Sequence, residues 1–533
     1  MGKNLPMALG RSPVQQRFEN PREILGDRLR EGSIYRLLAD HGLTLFRDDY
    51  FADLYSDSSR GQPTIPARLM ATVMLLQAYE GLSDAEATDR LGFDLRWQAA
   101  CGVDTGYVAF HPTSLVGQRN RLRASERPRR IFEDTKVVAK SSGAMRTRAR
   151  VFDSTPIYDA VATQDTVTQL RAVIRKLLGV LERTGAVELA TRVRAALSRD
   201  DDYSTLGKPP CDWDDRQARE QLVDELVRDC LATLSVLEGE NLTGARRDAA
   251  DLVALVAGQD TEQGDDGVFR IAKKVAKDRV ISTVDPEARH GHKSKARKFD
   301  GFKVHVSLDP DSELLDEVLV TPANTPDKNA VPELVESLED KGEPPGLVGD
   351  SAYGDGATRA ELKDAGFTIM AKVPPVKNMT GGFSKDRFVI DLEAKSVTCP
   401  QGRNVPIRFR HDESGTAHFA PHCSSCPLAT GCTRSKHGRT ITITINSHEE
   451  LIQQARAEQA DPKWKARYRT DRPKVERKIS HFVRRPWGGR KARTRGLKRV
   501  ATDIDTRAGA TNLARLAVLG LSFGSDRWHI AGT

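Results

Sequence analysis

The chain has 533 residues, enough for two to four domains with cores of their own. Its net charge of +8 and pI of about 9.0 suit a polyanionic partner. No apolar run approaches the length of a membrane span, and the opening Met1-Gly2-Lys3-Asn4-Leu5-Pro6 lacks both the apolar stretch of a secretory signal and the Ser or Thr of a myristoylation site. A cytoplasmic location without membrane contact is expected, where the seven cysteines are thiols or metal ligands rather than disulfides.

Residues 1 to 60 are polar, with modest helix signals. From Pro66 apolar residues recur at helical spacing until Gly81, and Ser83-Asp84-Ala85-Glu86 is a capping box that opens a second helix ending near Gly92. Short helices follow near Leu95–Ala100 and Ser114–Ala124, giving 65–125 a helix–turn–helix rhythm. Arg148–Ala162 reads as a strand carrying Asp153. Residues 165–275 read as a charged helical insertion, with Leu170, Val173, Leu177, Val180 and Leu181 at a 3.6 period. A hairpin over Phe299–Leu308 and Leu314–Val320 comes next, then a helix near Val331–Leu338. The buried strand Gly346–Gly349 runs into Asp350, followed by the helix Thr358–Ala365 and the strand Phe367–Val373. Short β runs and four cysteines fill 375–446. One helix is capped at Ser447, another begins at Asp461-Pro462, and the helix of Glu476 is expected to start near Asp471 with Pro473 in its first turn. An apolar helix, Ala510–Leu521, closes the chain.

Two strand-borne aspartates, Asp153 and Asp350, and one helix-borne carboxylate, Glu476, can converge into an oxygen-ligand cage for two Mg²⁺ ions, the arrangement that cuts and joins phosphodiesters. Cys399, Cys423, Cys426 and Cys432, spaced C-x23-C-x2-C-x5-C, offer a tetrahedral thiolate set for a structural Zn²⁺, with His411, His418, His422 and His437 as possible substitutes. Between Lys463 and Arg499 stand 16 Lys or Arg against Asp471 and Glu476 alone, a density suited to a phosphate backbone. Arg119, Arg121 and Arg123 sit together at one end of the fourth helix, and Arg484 and Arg485 lie in the dense stretch.

These residues, in this order, resemble the insertion-sequence transposases of the DDE class, chiefly the bacterial group with an N-terminal helical domain and a β insertion before the glutamate. Tyr468, Arg472 and Glu476 supply the residue types of that family's glutamate helix, with three and three intervening residues where the commonest spacing is two and three. Ile65–Leu122 resembles the family's N-terminal domain, and the closing Arg495-Gly496-Leu497-Lys498 and Asn512-Leu513-Ala514-Arg515-Leu516 its C-terminal helix. The resemblance implies an α/β RNase H-like core, a mixed five-stranded sheet flanked by helices. Joined to it are an all-α N-terminal domain, a helical insertion and a small β-rich zinc-binding insertion. The expected boundaries are 1–140 for the N-terminal domain, 141–374 for the first part of the core, 375–446 for the cysteine insertion and 447–533 for the helices that complete the core.

The resemblance further implies a nucleoid-associated enzyme that uses Mg²⁺ or Mn²⁺ at Asp153, Asp350 and Glu476. It would cut the ends of an insertion sequence and join the 3′-hydroxyl to target DNA. The partners are double-stranded DNA, both terminal inverted repeats and target, and a second copy of the chain in the DNA complex. DNA contacts are expected from Arg119, Arg121, Arg123, Lys293, Lys298, Lys303, Tyr468, Arg472, Arg484 and Arg485, with 65–125 recognising element ends and 463–499 holding phosphates. The alternative is a catalytically inactive DNA-binding repressor or domesticated derivative.

Overall fold

The computed structural model describes residues 20–55, 64–159, 161–274, 276–294, 296–338, 346–373, 382–410, 414–443, 446–483 and 489–531. It is a mixed sheet surrounded by helices, and roughly half of the chain is helical. No helix among the described residues is long and apolar enough to cross a membrane.

The N-terminal unit follows its sequence signals closely. Helix α1 (Ala67–Glu80) is buried almost all round, ends on Gly81 in the left-handed conformation, and is followed by α2 (Asp84–Phe93). Both halves of the capping box form, Ser83 accepting from the Glu86 amide and Glu86 from the Ser83 amide. Helices α3 (Leu95–Cys101) and α4 (Thr113–Ala124) complete the expected unit.

The central sheet has six strands, one more than expected: β1 (Arg150–Tyr158), β2 (Arg289–Ser294), β3 (Arg297–Leu308), β4 (Leu315–Pro322), β5 (Gly346–Val348) and β6 (Thr368–Met370). The additional strand is β2. Its sequence, Arg289-His290-Gly291-His292-Lys293-Ser294, has no apolar alternation, and pairing with the start of β3 makes it a strand. Along the sheet, β3 runs antiparallel to β1 and pairs on its other edge with β2 and then β4. On the far side β5 and β6 continue parallel to β1.

Helix α5 (Pro462–Phe482) crosses this sheet. It is one helix of 21 residues with Pro473 inside it, so the start expected near Asp471 is corrected. Its N-cap is Asp461, whose side chain accepts from the Lys463 amide, with Pro462 in the first turn. The last helix, α6 (Leu497–Val518), begins thirteen residues before the expected Ala510, because its first half buries scattered small and polar residues rather than an apolar stripe.

Leu513, Leu516 and Ala517 of α6 share one apolar core with Leu75 and Leu76 of α1 and Leu115 of α4. Asn512 accepts from the Leu315 amide at 2.8 Å and donates to the Leu315 carbonyl at 2.9 Å, clamping α6 to β4. The helices spanning 166–259 enclose a separate core around Leu170, Leu177, Leu226 and Val253. The cysteine segment forms two three-stranded sheets with a small core of its own around Phe388, Val397 and Phe419.

Candidate active site

The parallel pairing of β1 with β5 sets Arg150 against Leu347 and Val151 against Val348. Two residues further along each chain stand Asp153, within β1, and Asp350, just past the end of β5, on neighbours about 4.8 Å apart. The turn after β5 requires glycine: a Cβ on Gly349 would lie 2.9 Å from Tyr353 Cδ2 and 3.2 Å from Phe152 Cε2. Asp350 accepts from the Ala352 amide at 2.8 Å, fixing the turn that presents it.

Helix α5 supplies the third carboxylate. Tyr468, Arg472 and Glu476 are spaced by four residues and lie along one face. Tyr468 is buried, stacks on Trp464 and donates its hydroxyl to the Gly349 carbonyl at 3.2 Å, which docks the helix beside Asp350. One guanidinium nitrogen of Arg472 lies 2.7 Å from Asp153 and 3.7 Å from Glu476. The side chains of Asp153 and Arg472 are only 16 % and 10 % exposed, whereas that of Glu476 is 62 % exposed. Burial pushes the Asp153 carboxyl above its usual range. Arg472 opposes that shift and Asp350 adds to it. Burial pulls the Arg472 guanidinium down, but Asp153, Asp350 and Glu476 together hold it above its ordinary value.

Asp153 and Glu476 thus share one buried cation, while Asp350 bears on it only through its charge. The other terminal nitrogen of Arg472 is buried without a hydrogen-bond partner among the described residues. Among those residues no group of three or more His, Cys, Asp or Glu is arranged to hold a metal ion, and here Arg472 bridges Asp153 and Glu476. The donor chemistry itself, three carboxylates, suits Mg²⁺ or Mn²⁺.

Two neighbours escaped the sequence reading. Asp327 accepts from the Ser154 hydroxyl at 2.9 Å and from Lys303 at 2.8 Å. Tyr353 packs its ring edge-on to Phe152 at 5.0 Å, and its buried hydroxyl has no partner among the described residues. Tyr353 stands in the Asp-Ser-Ala-Tyr-Gly run that flags Asp350, so a signal existed; Asp327 had none.

The expected DNA contacts divide. Lys293 and Lys298 are exposed where β2 meets β3. Lys303 is turned inward to Asp327 and the Thr325 carbonyl, and Tyr468 and Arg472 are buried as described. Arg119 bonds to Asp84 and Gln77, Arg121 stacks over Tyr55, and Arg123 bonds to Asn120. Arg484 and Arg485 lie outside the described residues, as does His411.

Cys399, Cys423, Cys426 and Cys432 line one small pocket with Phe383, Phe388 and Phe419. They do not form a metal-holding group, so the structural zinc is not supported. Cys432 is buried in the apolar core of this segment, with Cys399 and Cys423 packed against it, and Cys423 sulfur accepts from the Arg439 amide at 3.5 Å. Cys432, Cys399 and Cys423 help to fill this core, and Cys426 lies outside it.

Two family models match the chain. Residues 23–121 match a transposase domain (DUF772), and residues 398–517 match a transposase DDE domain. The two matches support an insertion-sequence DDE transposase. The first match covers α1 to α4 almost to the end of α4; the second covers the cysteine segment, Glu476 and most of α6. DDE transposases generally use divalent metals such as Mg²⁺ and act on DNA. No curated protein and no solved structure matches.

Proposed function

We propose that this transposase cuts the ends of its insertion sequence and joins the freed 3′-hydroxyl to target DNA, from an RNase H-like core completed by α5. The observation that carries the reading is the β1–β5 register. It supports the reading by setting Asp153 level with Asp350, and Arg472 of α5 lies 2.7 Å from Asp153 and 3.7 Å from Glu476.

Asp153, Asp350 and Glu476 are the residues that would hold the divalent ions. Bound there, such ions activate a water or 3′-hydroxyl and stabilise the leaving oxygen. The chain's own part is positional. Tyr468 pins α5 to the end of β5, and the Asp350 turn is fixed by the Ala352 amide. Arg472 sets a positive charge against Asp153 and near Glu476. Glu476, the most exposed of the three, faces arriving DNA. The working species on DNA is a homodimer, so that each of two element ends meets one site.

The test uses duplex DNA taken from the sequences flanking the gene, with Mg²⁺. Wild-type protein nicks it at a fixed position, and Asp350→Asn abolishes nicking while leaving duplex affinity largely intact. Equal nicking by wild type and Asp350→Asn would overturn the assignment. Binding without nicking by the wild type would establish the inactive DNA-binding derivative instead.

A further inference from the structure

The sequence assigns recognition to α4 and phosphate holding to the basic stretch, as two separate surfaces. The fold places them on one. A cleft of about 760 Å³ opens between α2 and α4 on one side and residues 491–503 on the other. A second hollow continues it past Arg123 and Arg499 to Arg495 and Lys498. Arg493 reaches across the cleft to the Leu82 carbonyl and ties the walls together.

The carboxylates that line the cleft are already engaged. Asp84 bonds to Arg119 and Gln77, Glu86 caps the Ser83 amide, Asp503 pairs with Arg507, and Glu287 accepts from the Leu497 amide. Among the described residues no ion pair joins Arg123, Lys491, Arg495, Lys498 or Arg499 to a carboxylate. Burial, Arg499 and Arg119 together hold the Arg123 guanidinium below its usual range, the mark of positive groups crowded without counter-charge.

The basic segment is also tied to the strand that carries Asp153. The Tyr158 amide donates to the Arg490 carbonyl at 2.6 Å and the Ala492 amide to the Tyr158 carbonyl at 2.8 Å, so the basic segment extends the edge of β1 at its far end. From Tyr158 back to Asp153 is five residues, about 17 Å of strand.

We propose that this cleft is the track for the phosphate backbone of duplex DNA, gripped jointly by α4 and residues 491–499, the second of which is bonded to the strand of Asp153. The inference rests on the transposase reading and gives it a place on the surface. Because the cations meet phosphates rather than base edges, the grip is independent of sequence.

The experiment measures binding of fluorescent duplexes, one of flanking DNA and one of random sequence, across a salt series. It compares wild type with Arg123→Gln/Lys498→Gln/Arg499→Gln and with a control of equal charge change on the helical insertion, Arg183→Gln/Arg192→Gln/Arg247→Gln. Circular dichroism checks that each is folded. The cleft variant is expected to weaken both duplexes alike, by about tenfold or more, and to lower the salt slope by about 2 to 3, at ~0.9 for each lost phosphate contact. The control keeps the wild-type slope. Unchanged slope in the cleft variant, or an equal loss in the control, overturns the track while leaving the transposase reading in place. A wild type that binds neither duplex overturns both.

Discussion

Arg472 decides how the three carboxylates can coexist. Asp153 stands within β1 and Asp350 just past the end of its neighbour β5, and partly buried like charges at such spacing repel strongly. Arg472 is the nearest counter-charge, and it is itself buried. Replacing it by Gln leaves Asp153 without its charge partner, with the Ser154 amide as its remaining hydrogen bond, a change that typically costs about 3 kcal/mol or more. We expect Arg472→Gln to lower the melting temperature in metal-free buffer by several degrees. Mg²⁺ should then stabilise the variant more than it does the wild type, because the ions supply the charge Arg472 no longer does. Calorimetry with and without Mg²⁺ checks this; identical Mg²⁺ increments in the two proteins would contradict it. Asp153, Asp350 and Glu476 were legible in the sequence because each sat in a recognisable local run. The Arg472 contact to Asp153 was not, since 319 residues separate the partners and only the fold joins them. Lys303 shows the converse. Lys303 reads from its basic surroundings as a phosphate ligand, and within β3 its ammonium is bonded to Asp327, 24 residues on, a partner nothing in the sequence marks.

Elements were read best where a cap or a short-range period marks them. The Ser83 capping box and the Gly81 stop are local chemistry and fall where expected. β2 and the first half of α6 owe their form to partners remote in sequence, and neither shows a hydrophobic period. In α5 the error was Pro473, read as a first-turn proline although it lies inside the helix. An internal proline removes one backbone hydrogen bond and crowds the preceding turn, at about 3 kcal/mol in an ordinary helix. Pro473 directly follows Arg472 and precedes Glu476 by three residues, so a bend at this proline would set the angle between them. Pro473→Ala is expected to raise the melting temperature and to reduce Mg²⁺-dependent nicking together. A variant that is more stable and fully active would show that the bend has no part in placing Glu476.

At the scale of the whole molecule, the N-terminal unit and the C-terminal helix share one core. Deleting residues 1–125 would strip α6 of its apolar partners, so such a truncation reports on folding rather than on DNA preference. The helical insertion is the opposite case. It has its own core, and its two ends meet, with the Gln164 amide donating to the Ile281 carbonyl at 2.8 Å. Replacing residues 165–280 by a short Gly-Ser loop is expected to leave a soluble protein with the core transition intact, read as loss of one unfolding transition in calorimetry. Aggregation of the excised protein would mean that the insertion supports the sheet. The insertion was legible as helices, but nothing in its sequence marks what it is for.

The central claim is that Asp153, Asp350 and Glu476 form one metal site. Iron-directed self-cleavage tests it most directly: Fe²⁺ replaces Mg²⁺, ascorbate and peroxide generate radicals at the bound ion, and the backbone cuts are mapped. The account predicts cuts clustered near residues 153, 350 and 476 of the same chain, suppressed by excess Mg²⁺ and lost in Asp350→Asn. Cuts confined to other segments, or cuts near 153 and 350 that never include 476, would contradict it.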